Sequence, residues 1–340
     1  MVNYKLIEPS PLTSLQMNRS SSLYTIYLNN LKRYSRIEAL NQTRDFIFAH
    51  TPDQLSEQIA SMEFLYMNDL FDDLTCWMNQ PGIRKDVSFL YSILMDRRQR
   101  KSTMDRVHQL KAIRFTNPSM HCLHLFTLVY SYYDLKMYTA LDKYLDDCEL
   151  ALRAVDEPLM YYYLNQRYQE LLFQHYWKTD NSILASRYAY KMINTELSPK
   201  RKYRMYHHLA LCLLFDGYNS AIEPLSKALE IAERINERPL IDSVLHRSLP
   251  FISAFHYKTE GVTTPDPVEN AHLCIVKGDV KRAKDFLRTL PVLTPFQESY
   301  MGLAERDEDR LNLAHKRFIT ERGDHFFARV PLEFLKRIQS

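Results

Sequence analysis

Apolar residues recur at helical spacing along nearly the whole chain from Leu23 onward, as in the stripe formed by Ile59, Phe64 and Met67. Residues three or four positions apart lie on one face of an α-helix, so this spacing predicts amphipathic helices. The strict alternation of apolar and polar residues that predicts β-strands is nearly absent. The pattern therefore predicts an all-α protein.

One type of helix recurs within this pattern, with a large apolar residue about four positions after an alanine. The alanine lets two helices approach closely, and the large residue fills the space between neighbouring helices. The repeat predicts helix hairpins of the tetratricopeptide (TPR-like) kind in a right-handed helical superhelix. A generic helical bundle is the alternative, and five matching segments disfavour it. The repeated alanines are Ala140, Ala185, Ala221, Ala283 and Ala314.

Breaks in the pattern predict how the chain is divided. The first seventeen residues carry two prolines and many Ser and Thr, which is typical of irregular structure. We expect an N-terminal helical segment over 1–50, a repeat array over 51–340, and a break in that array near 250–268. The break contains Pro250 and the turn-prone stretch 261–267.

Composition narrows the class of protein. Only 6 of the 340 residues are glycine, which argues against a turn-rich β-sandwich or a phosphate-loop enzyme. The five cysteines are scattered and never form a CxxC pair, which favours reduced residues of a cytoplasmic protein. No signal peptide or membrane span is predicted. The net charge of +3 neither requires nor excludes a nucleic-acid partner.

Catalytic motifs are missing from the sequence. There is no GxSxG, no HExxH and no glycine pattern of a nucleotide-binding loop. His121 and His124 have the HxxH spacing of two metal ligands, but no third ligand is evident nearby. We therefore predict a protein that is not an enzyme and that needs no cofactor and no metal.

Two C-terminal segments stand out as candidate ligand-binding chemistry. The concave groove of a TPR-like array binds extended peptides, and a peptide arginine pairs best with carboxylates. In VENAH, Glu269 and His272 lie one helical turn apart at a predicted helix start, and in RGDHFFARVP, Asp324 precedes an apolar run. The simpler interpretations are a glutamate that favours the helix dipole and an aspartate that caps a helix.

Four colinear segments resemble the AimR-type arbitrium receptors, which belong to the RRNPP quorum-sensing group. The similarity runs from about Ser56 to Leu335 and is clearest in the last third. The four segments are TNPSMHCLHLFTLVYSYY, LALCLLFDGYNSAIEPLSKAL, VENAH with KGDVKRAKDFLRTL, and GDHFFARVPLEFLKRI.

The resemblance implies a receptor for a six-residue communication peptide that regulates the phage lysis–lysogeny decision. The acidic clamp for the peptide's arginine matches Glu269 and Asp324, and an aromatic residue of the pocket matches Phe326. An arginine that holds the peptide's carboxylate falls at Lys200 or Arg201. The family's asparagines there are replaced, one of them near His175, which implies a different peptide sequence.

The N-terminus departs from the family, whose members begin with a helix-turn-helix that reads DNA. Here Leu15 to Leu28 matches only the end of that module, which indicates a truncated or degenerate one. The basic residues Lys32, Arg33 and Arg36 are candidate phosphate contacts, and a solvated helix face is the alternative.

The sequence leaves three interpretations of the protein's function open. The protein acts on DNA as a peptide-controlled regulator, or it is a Rap-like TPR adaptor that inhibits a protein partner, or it is a scaffold without a small ligand. The resemblance also implies a homodimer.

Overall fold

A computed structural model of the chain describes residues 21–50, 52–99, 101–195 and 197–340. The predicted irregular start over 1–17 lies outside this part of the chain, as does the beginning of the segment 15–28. All regular secondary structure in the described residues is helical, and the predicted all-α class of helix hairpins is confirmed.

The helices cluster into two compact units. The first contains the described residues as far as Lys136, then Ala140–Leu171 and Asn194–Ser198; the second contains Met137–Thr139, Leu172–Ile193 and Pro199–Ser340. The helices in chain order are α1 (Ser22–Arg33), α2 (Arg36–Ala49), α3 (Leu55–Met67), α4 (Phe71–Met78), α5 (Lys85–Arg98), α6 (Met104–Ala112), α7 (Pro118–Asp134), α8 (Ala140–Arg153), α9 (Pro158–Lys178), α10 (Ser182–Ile193), α11 (Pro199–Cys212), α12 (Tyr218–Arg234), α13 (Arg238–Ser243), α14 (Leu249–Phe255), α15 (Pro267–Val276), α16 (Val280–Leu287), α17 (Pro295–Glu305), α18 (Glu308–Arg322) and α19 (Arg329–Gln339).

The first unit packs an apolar core around a buried ion pair. Phe64, Trp77 and Phe126 are fully buried in it. The Glu63 carboxylate of α3 accepts two hydrogen bonds from Arg167 of α9, at 2.6 and 3.0 Å, and one from the Tyr91 hydroxyl of α5, at 2.8 Å. A buried ion pair is tolerated when hydrogen bonds satisfy it in this way.

The second unit shows the packing that the repeated alanines predict. α11 packs against α12, α15 against α16 and α17 against α18. The alanine of each second helix is buried against its partner: Ala221 and Ala314 are 0% exposed and Ala283 is 1% exposed. Between α17 and α18 the approach is closer still, because a Cβ on Gly302 would lie 2.8 Å from Leu311.

The break predicted near 250–268 contains more helix than the sequence suggests. A π-helical segment, Val244–Ser248, joins α13 to α14, so Pro250 lies inside a continuous helical stretch and removes one helical hydrogen bond; the His246 carbonyl, four residues earlier, instead accepts the Thr264 hydroxyl at 2.6 Å. Helix therefore continues to Phe255, and only residues 256–266 are non-helical. The division into sub-arrays, like the boundary at residue 50, stays a prediction.

Candidate functional site

An aromatic cluster in the second unit surrounds its buried polar groups. It consists of Phe251 and Phe255 of α14, Phe296 of α17, Phe327 of the turn before α19, and Phe334 of α19. Successive ring centroids lie 5.7 Å (Phe251–Phe296), 5.0 Å (Phe296–Phe327) and 6.0 Å (Phe255–Phe334) apart. Edge-to-face and tilted contacts at these distances fix the positions of the rings. The cluster forms a rigid apolar wall beside α15.

Glu269 lies in the first turn of α15, and its own sequence explains that position. Asp266 accepts hydrogen bonds from the backbone N–H groups of Val268 (3.0 Å) and Glu269 (3.2 Å), and Pro267 begins the helix. The Glu269 side chain is 16% exposed and accepts a hydrogen bond from the Tyr300 hydroxyl of α17 at 3.2 Å. The carboxylate is thus nearly buried with a single hydroxyl donor.

The charge state of Glu269 follows from this setting. Burial, and secondarily the negative charge of Asp266, raises the pKa of Glu269 to about 8, against the opposing effects of the Tyr300 hydrogen bond and Arg247. In the described residues, neither Lys nor Arg forms an ion pair with it. A cation delivered beside this carboxyl would favour its charged form.

His272 lies one turn further along α15 and is completely buried. Its ring stacks on Tyr300 with centroids 4.2 Å apart, and its Nδ1 lies 3.9 Å from Glu269 Oε2. Neither ring nitrogen has a hydrogen-bond partner in the part of the chain that the structure describes. Burial, with Arg337 as a smaller cause, lowers the pKa of His272 to about 3, so the ring is neutral. A buried ring with unused donor and acceptor capacity is a group that a ligand could satisfy.

Asp324 has a different environment from Glu269, although both were predicted to clamp one arginine. Its carboxylate receives the ammonium of Lys178 at 2.8 Å and the backbone N–H of Phe327 at 3.1 Å. Both charged side chains are buried, at 5% and 4% exposure. Phe326 is fully buried, with its ring centroid 5.0 Å from that of Phe215. Asp324 is therefore already paired with a cation, whereas Glu269 is not.

The residues predicted to hold a peptide carboxylate lie on other helices. Lys200 and Arg201 are in the first turn of α11, and Lys200 forms an ion pair with Glu237. His175 lies in the last turn of α9, with its ring 4.9 Å from that of Tyr176. All seven predicted peptide-site residues belong to the second unit. Their roles stay predictions.

Comparison with known proteins supplies the family. Residues 39–337 match a family model described as AimR transcriptional regulator-like, and that span is most of the chain. The chain belongs to this AimR-like family. The resemblance drawn from the four sequence segments is thereby confirmed, and the family is one of regulators rather than of enzymes. A comparison with curated proteins gives no match.

Solved AimR structures share the fold of this AimR-like chain. A structure described as phAimR with ligand superposes with a TM-score of 0.71 at 16% identity, over 90% of this chain and 98% of that one. A selenomethionine form of phAimR superposes with a TM-score of 0.61 at 15% identity, over 91% and 87%. Identities this low establish the common fold and leave residue roles to be argued from the chain itself.

A shallow cavity lies along α15 of the AimR-like chain, apart from the Glu269 carboxylate. It has a volume of about 250 Å³. Neither Glu269 nor His272 lines it. Its walls come from α15, α16 and the loop before α15, and include Thr264, Asn270, Cys274 and Arg282.

The residues predicted to contact DNA lie where α1 ends and α2 begins, in the first unit. Lys32 and Arg33 are exposed, and Arg36 is half-buried. Ser35 caps α2 by a capping box with Glu38, so the junction is a fixed turn rather than a continuous helix. Whether these cations meet phosphates stays a prediction.

Metal-binding clusters and membrane-spanning helices are both absent from the described residues of the AimR-like chain. The described residues contain no group of three or more His, Cys, Asp or Glu side chains arranged to hold a metal ion. His124 is buried with its Nε2 2.7 Å from the Leu110 carbonyl, while His121 is exposed. Among the described helices, none combines the length and the hydropathy that crossing a bilayer requires.

Sequence reasoning missed two residues of this site, Lys178 and Tyr300. Lys178 lies 146 positions from Asp324, and Tyr300 lies 31 positions from Glu269. Neither spacing is a recognisable motif. The one available signal was the buried stripe of α17, which places Tyr300 on its inner face.

Proposed function

We propose that the protein is an intracellular receptor for a short peptide carrying a basic residue, and that the peptide controls its regulatory output. The observation that carries the proposal is the Glu269 carboxyl, which is nearly buried, has one hydroxyl donor and lacks an ion-pair partner in the described residues. A basic side chain would supply the missing charge, because charge-assisted hydrogen bonds are strongest where water is excluded.

Two further observations support a peptide rather than a metal or an anion. The aromatic cluster packs against His272, and both ring nitrogens of His272 lack a hydrogen-bond partner in the described residues, a capacity that polar groups of a peptide would satisfy. The family model describes transcriptional regulators, and a structure with the same fold is described as holding a ligand. The lysis–lysogeny decision is the regulatory process that the family resemblance suggests, in the cytoplasm of a bacterial host.

The test is isothermal titration of the purified protein with the short peptide encoded directly downstream of its gene. Binding should weaken by roughly 10- to 100-fold in Glu269→Gln, because a hydrogen bond to a charged group contributes about 1.5–3 kcal/mol. Glu260→Gln is the matched control, since Glu260 is exposed in the loop before α15. A peptide with citrulline in place of its basic residue should bind the wild type more weakly than the basic peptide does. The difference in affinity between the two peptides should be smaller in Glu269→Gln.

Failure of the wild type to bind the peptide would leave a TPR-like scaffold, and the receptor proposal would be wrong. If the wild type and Glu269→Gln bind the peptide with equal affinity, the protein would still be a receptor, but Glu269 would not belong to its peptide site.

The output is proposed to be DNA binding through the N-terminal segment, in a homodimer. The exposed cations Lys32 and Arg33 support it, because phosphate contacts require such residues. Replacing both by Ala should reduce the salt dependence of binding to duplex DNA, measured by fluorescence anisotropy.

The second candidate is the Rap-like adaptor. The same junction exposes Tyr34 and Ile37, at 46% and 74%, and apolar exposure of that kind suits a protein partner. Absence of salt-dependent DNA binding by a dimer, with the dimer verified by light scattering, would favour the adaptor.

A further inference from the structure

The Lys178 ammonium occupies a cage with the composition of a cation-binding site. The Asp324 carboxylate lies 2.8 Å from it, and the ring centroids of Trp177, Phe327 and Tyr138 lie 4.0, 4.6 and 4.7 Å away. A carboxylate with several aromatic faces is the combination by which proteins bind ligand cations. Here the occupant is the protein's own lysine.

The walls of this cage are held by backbone bonds that do not involve the lysine ammonium. The His325 N–H donates to the Lys178 carbonyl at 2.9 Å, and the Tyr138 N–H donates to the Arg322 carbonyl at 2.9 Å. Gly323 adopts φ +66° and lies so close to Thr139 that a Cβ would meet its methyl group at 2.5 Å. These backbone bonds would still connect the walls of the cage if the ammonium were removed.

Lys178 lies next to exposed surface that its ammonium could occupy outside the cage. It is the last residue of α9, and the next residues, Thr179 and Asp180, are exposed. Asp180 carries a carboxylate that accepts Arg329 at 2.8 Å, with both side chains about a third exposed. A lysine has a flexible four-carbon stem, so a rotation of the side chain toward this exposed segment would carry its ammonium to water while the helix end stays in position.

We propose that Lys178 is an internal stand-in for the ligand's basic group: it occupies the Asp324 cage in the free protein and leaves when an arginine or lysine side chain enters. This inference rests on the proposed receptor function and names a residue that sets its selectivity. Exchange of one cation for another keeps Asp324 paired at every stage. A neutral side chain would leave that carboxylate buried without a counter-ion, and so the cage admits only cations.

The exchange also gives Glu269 and Asp324 different roles in ligand binding. Glu269 is available to a basic group in the free protein, and Asp324 becomes available only after Lys178 departs. A ligand that binds fully must therefore displace an internal contact, which makes the state of the 323–327 turn depend on occupancy.

The first test empties the cage and offers it a small cation. Lys178→Met keeps the apolar stem and removes the charge, and L-argininamide is the probe, with L-citrullinamide as its neutral isostere. Thermal-shift titration should show argininamide binding Lys178→Met about tenfold or more tighter than the wild type, with no gain for citrullinamide. Lys191→Met, an exposed lysine of α10, is the matched control and should behave as the wild type. Equal affinities in Lys178→Met and wild type would overturn the inference, as would a gain that survives adding Asp324→Asn.

The second test uses the unaltered protein and decides the matter if Lys178→Met does not fold. Lysine acetylation by a soluble reagent, read by mass spectrometry, should spare the 4% exposed Lys178 in the free protein and modify it when the downstream-encoded peptide is bound. If the peptide binds and Lys178 is still protected from acetylation, the stand-in proposal would be wrong while the proposed receptor function would be supported. Absence of peptide binding would overturn the receptor. Saturating argininamide would then replace the peptide in the same acetylation experiment on the unaltered protein, and continued protection of Lys178 would overturn the stand-in.

Discussion

Two buried carboxyl groups, one in each unit, are treated in opposite ways by this fold. Glu63 is 0% exposed and receives both arms of the Arg167 guanidinium and the Tyr91 hydroxyl. Glu269 is nearly buried and receives the Tyr300 hydroxyl alone. Folding has compensated the first charge completely and has left the second one without a cation.

The two carboxyl groups differ in what they can offer to a ligand. A carboxylate that folding has already paired with a cation, as Arg167 pairs Glu63, holds helices together and is open to a ligand only if that internal cation leaves. A carboxyl group that lacks a counter-ion is costly to ionise, and a bound cation would relieve that cost. Burial alone therefore does not separate a paired acid from an unpaired one, and the charged partners of each carboxyl group must be compared as well.

The largest effect is expected from breaking the compensated pair. Arg167→Met should destabilise the protein by about 3–5 kcal/mol, because it leaves Glu63 buried and unpaired. Chemical denaturation followed by circular dichroism measures this. Arg153→Met, whose arginine is 71% exposed on α8, should cost less than about 1 kcal/mol. Adding Glu63→Leu to Arg167→Met should recover part of the loss, and a double variant as unstable as the single one would contradict this account.

Glu269→Gln is expected to stabilise the protein, in contrast to Arg167→Met. The folded pKa of about 8 lies above the ordinary value of 4.5, so wild-type stability from this group is complete below pH 4.5 and is lost as the pH rises to 8. Glutamine does not titrate, so the variant should gain on the wild type across that window, by about 1–3 kcal/mol at pH 8.

The comparison of variant with wild type is essential to this measurement. The depressed pKa of His272 makes both proteins lose stability as the pH falls below about 6.5, and the difference between them cancels that contribution. A stability difference that does not change between pH 5 and pH 8 would mean that Glu269 is charged in the free protein.

The smallest effects are expected from removing one hydroxyl at each carboxyl group. Tyr91→Phe should cost about 1–3 kcal/mol, because Glu63 is fully enclosed and loses a charge-assisted hydrogen bond. Tyr300→Phe should cost less than about 1 kcal/mol at pH 6, because Glu269 can hold a proton and is reached by water. Denaturation of both variants at pH 6 compares them, and a larger loss for Tyr300→Phe would reverse the ranking.

Local patterns along the chain were sufficient to predict the helices and the way they pair. The spacing of apolar residues and the repeated alanines depend on local geometry, which a single sequence states directly. The start of α15 was equally readable, since an aspartate followed by proline marks a helix N-terminus, and Asp266 caps it here. The motif segments also led to the family, because they preserve the order of side chains along the chain.

The pairing of the buried charges, by contrast, becomes visible only in the folded chain. Lys178 meets Asp324 across 146 positions and Arg167 meets Glu63 across 104, distances at which no periodic pattern links two residues. The sequence presented Glu269 and Asp324 as equivalent acids, and packing gave a lysine to one and a tyrosine hydroxyl to the other. The physical reason is that helix formation depends on neighbours along the chain, whereas the compensation of a buried charge depends on which helices meet around it.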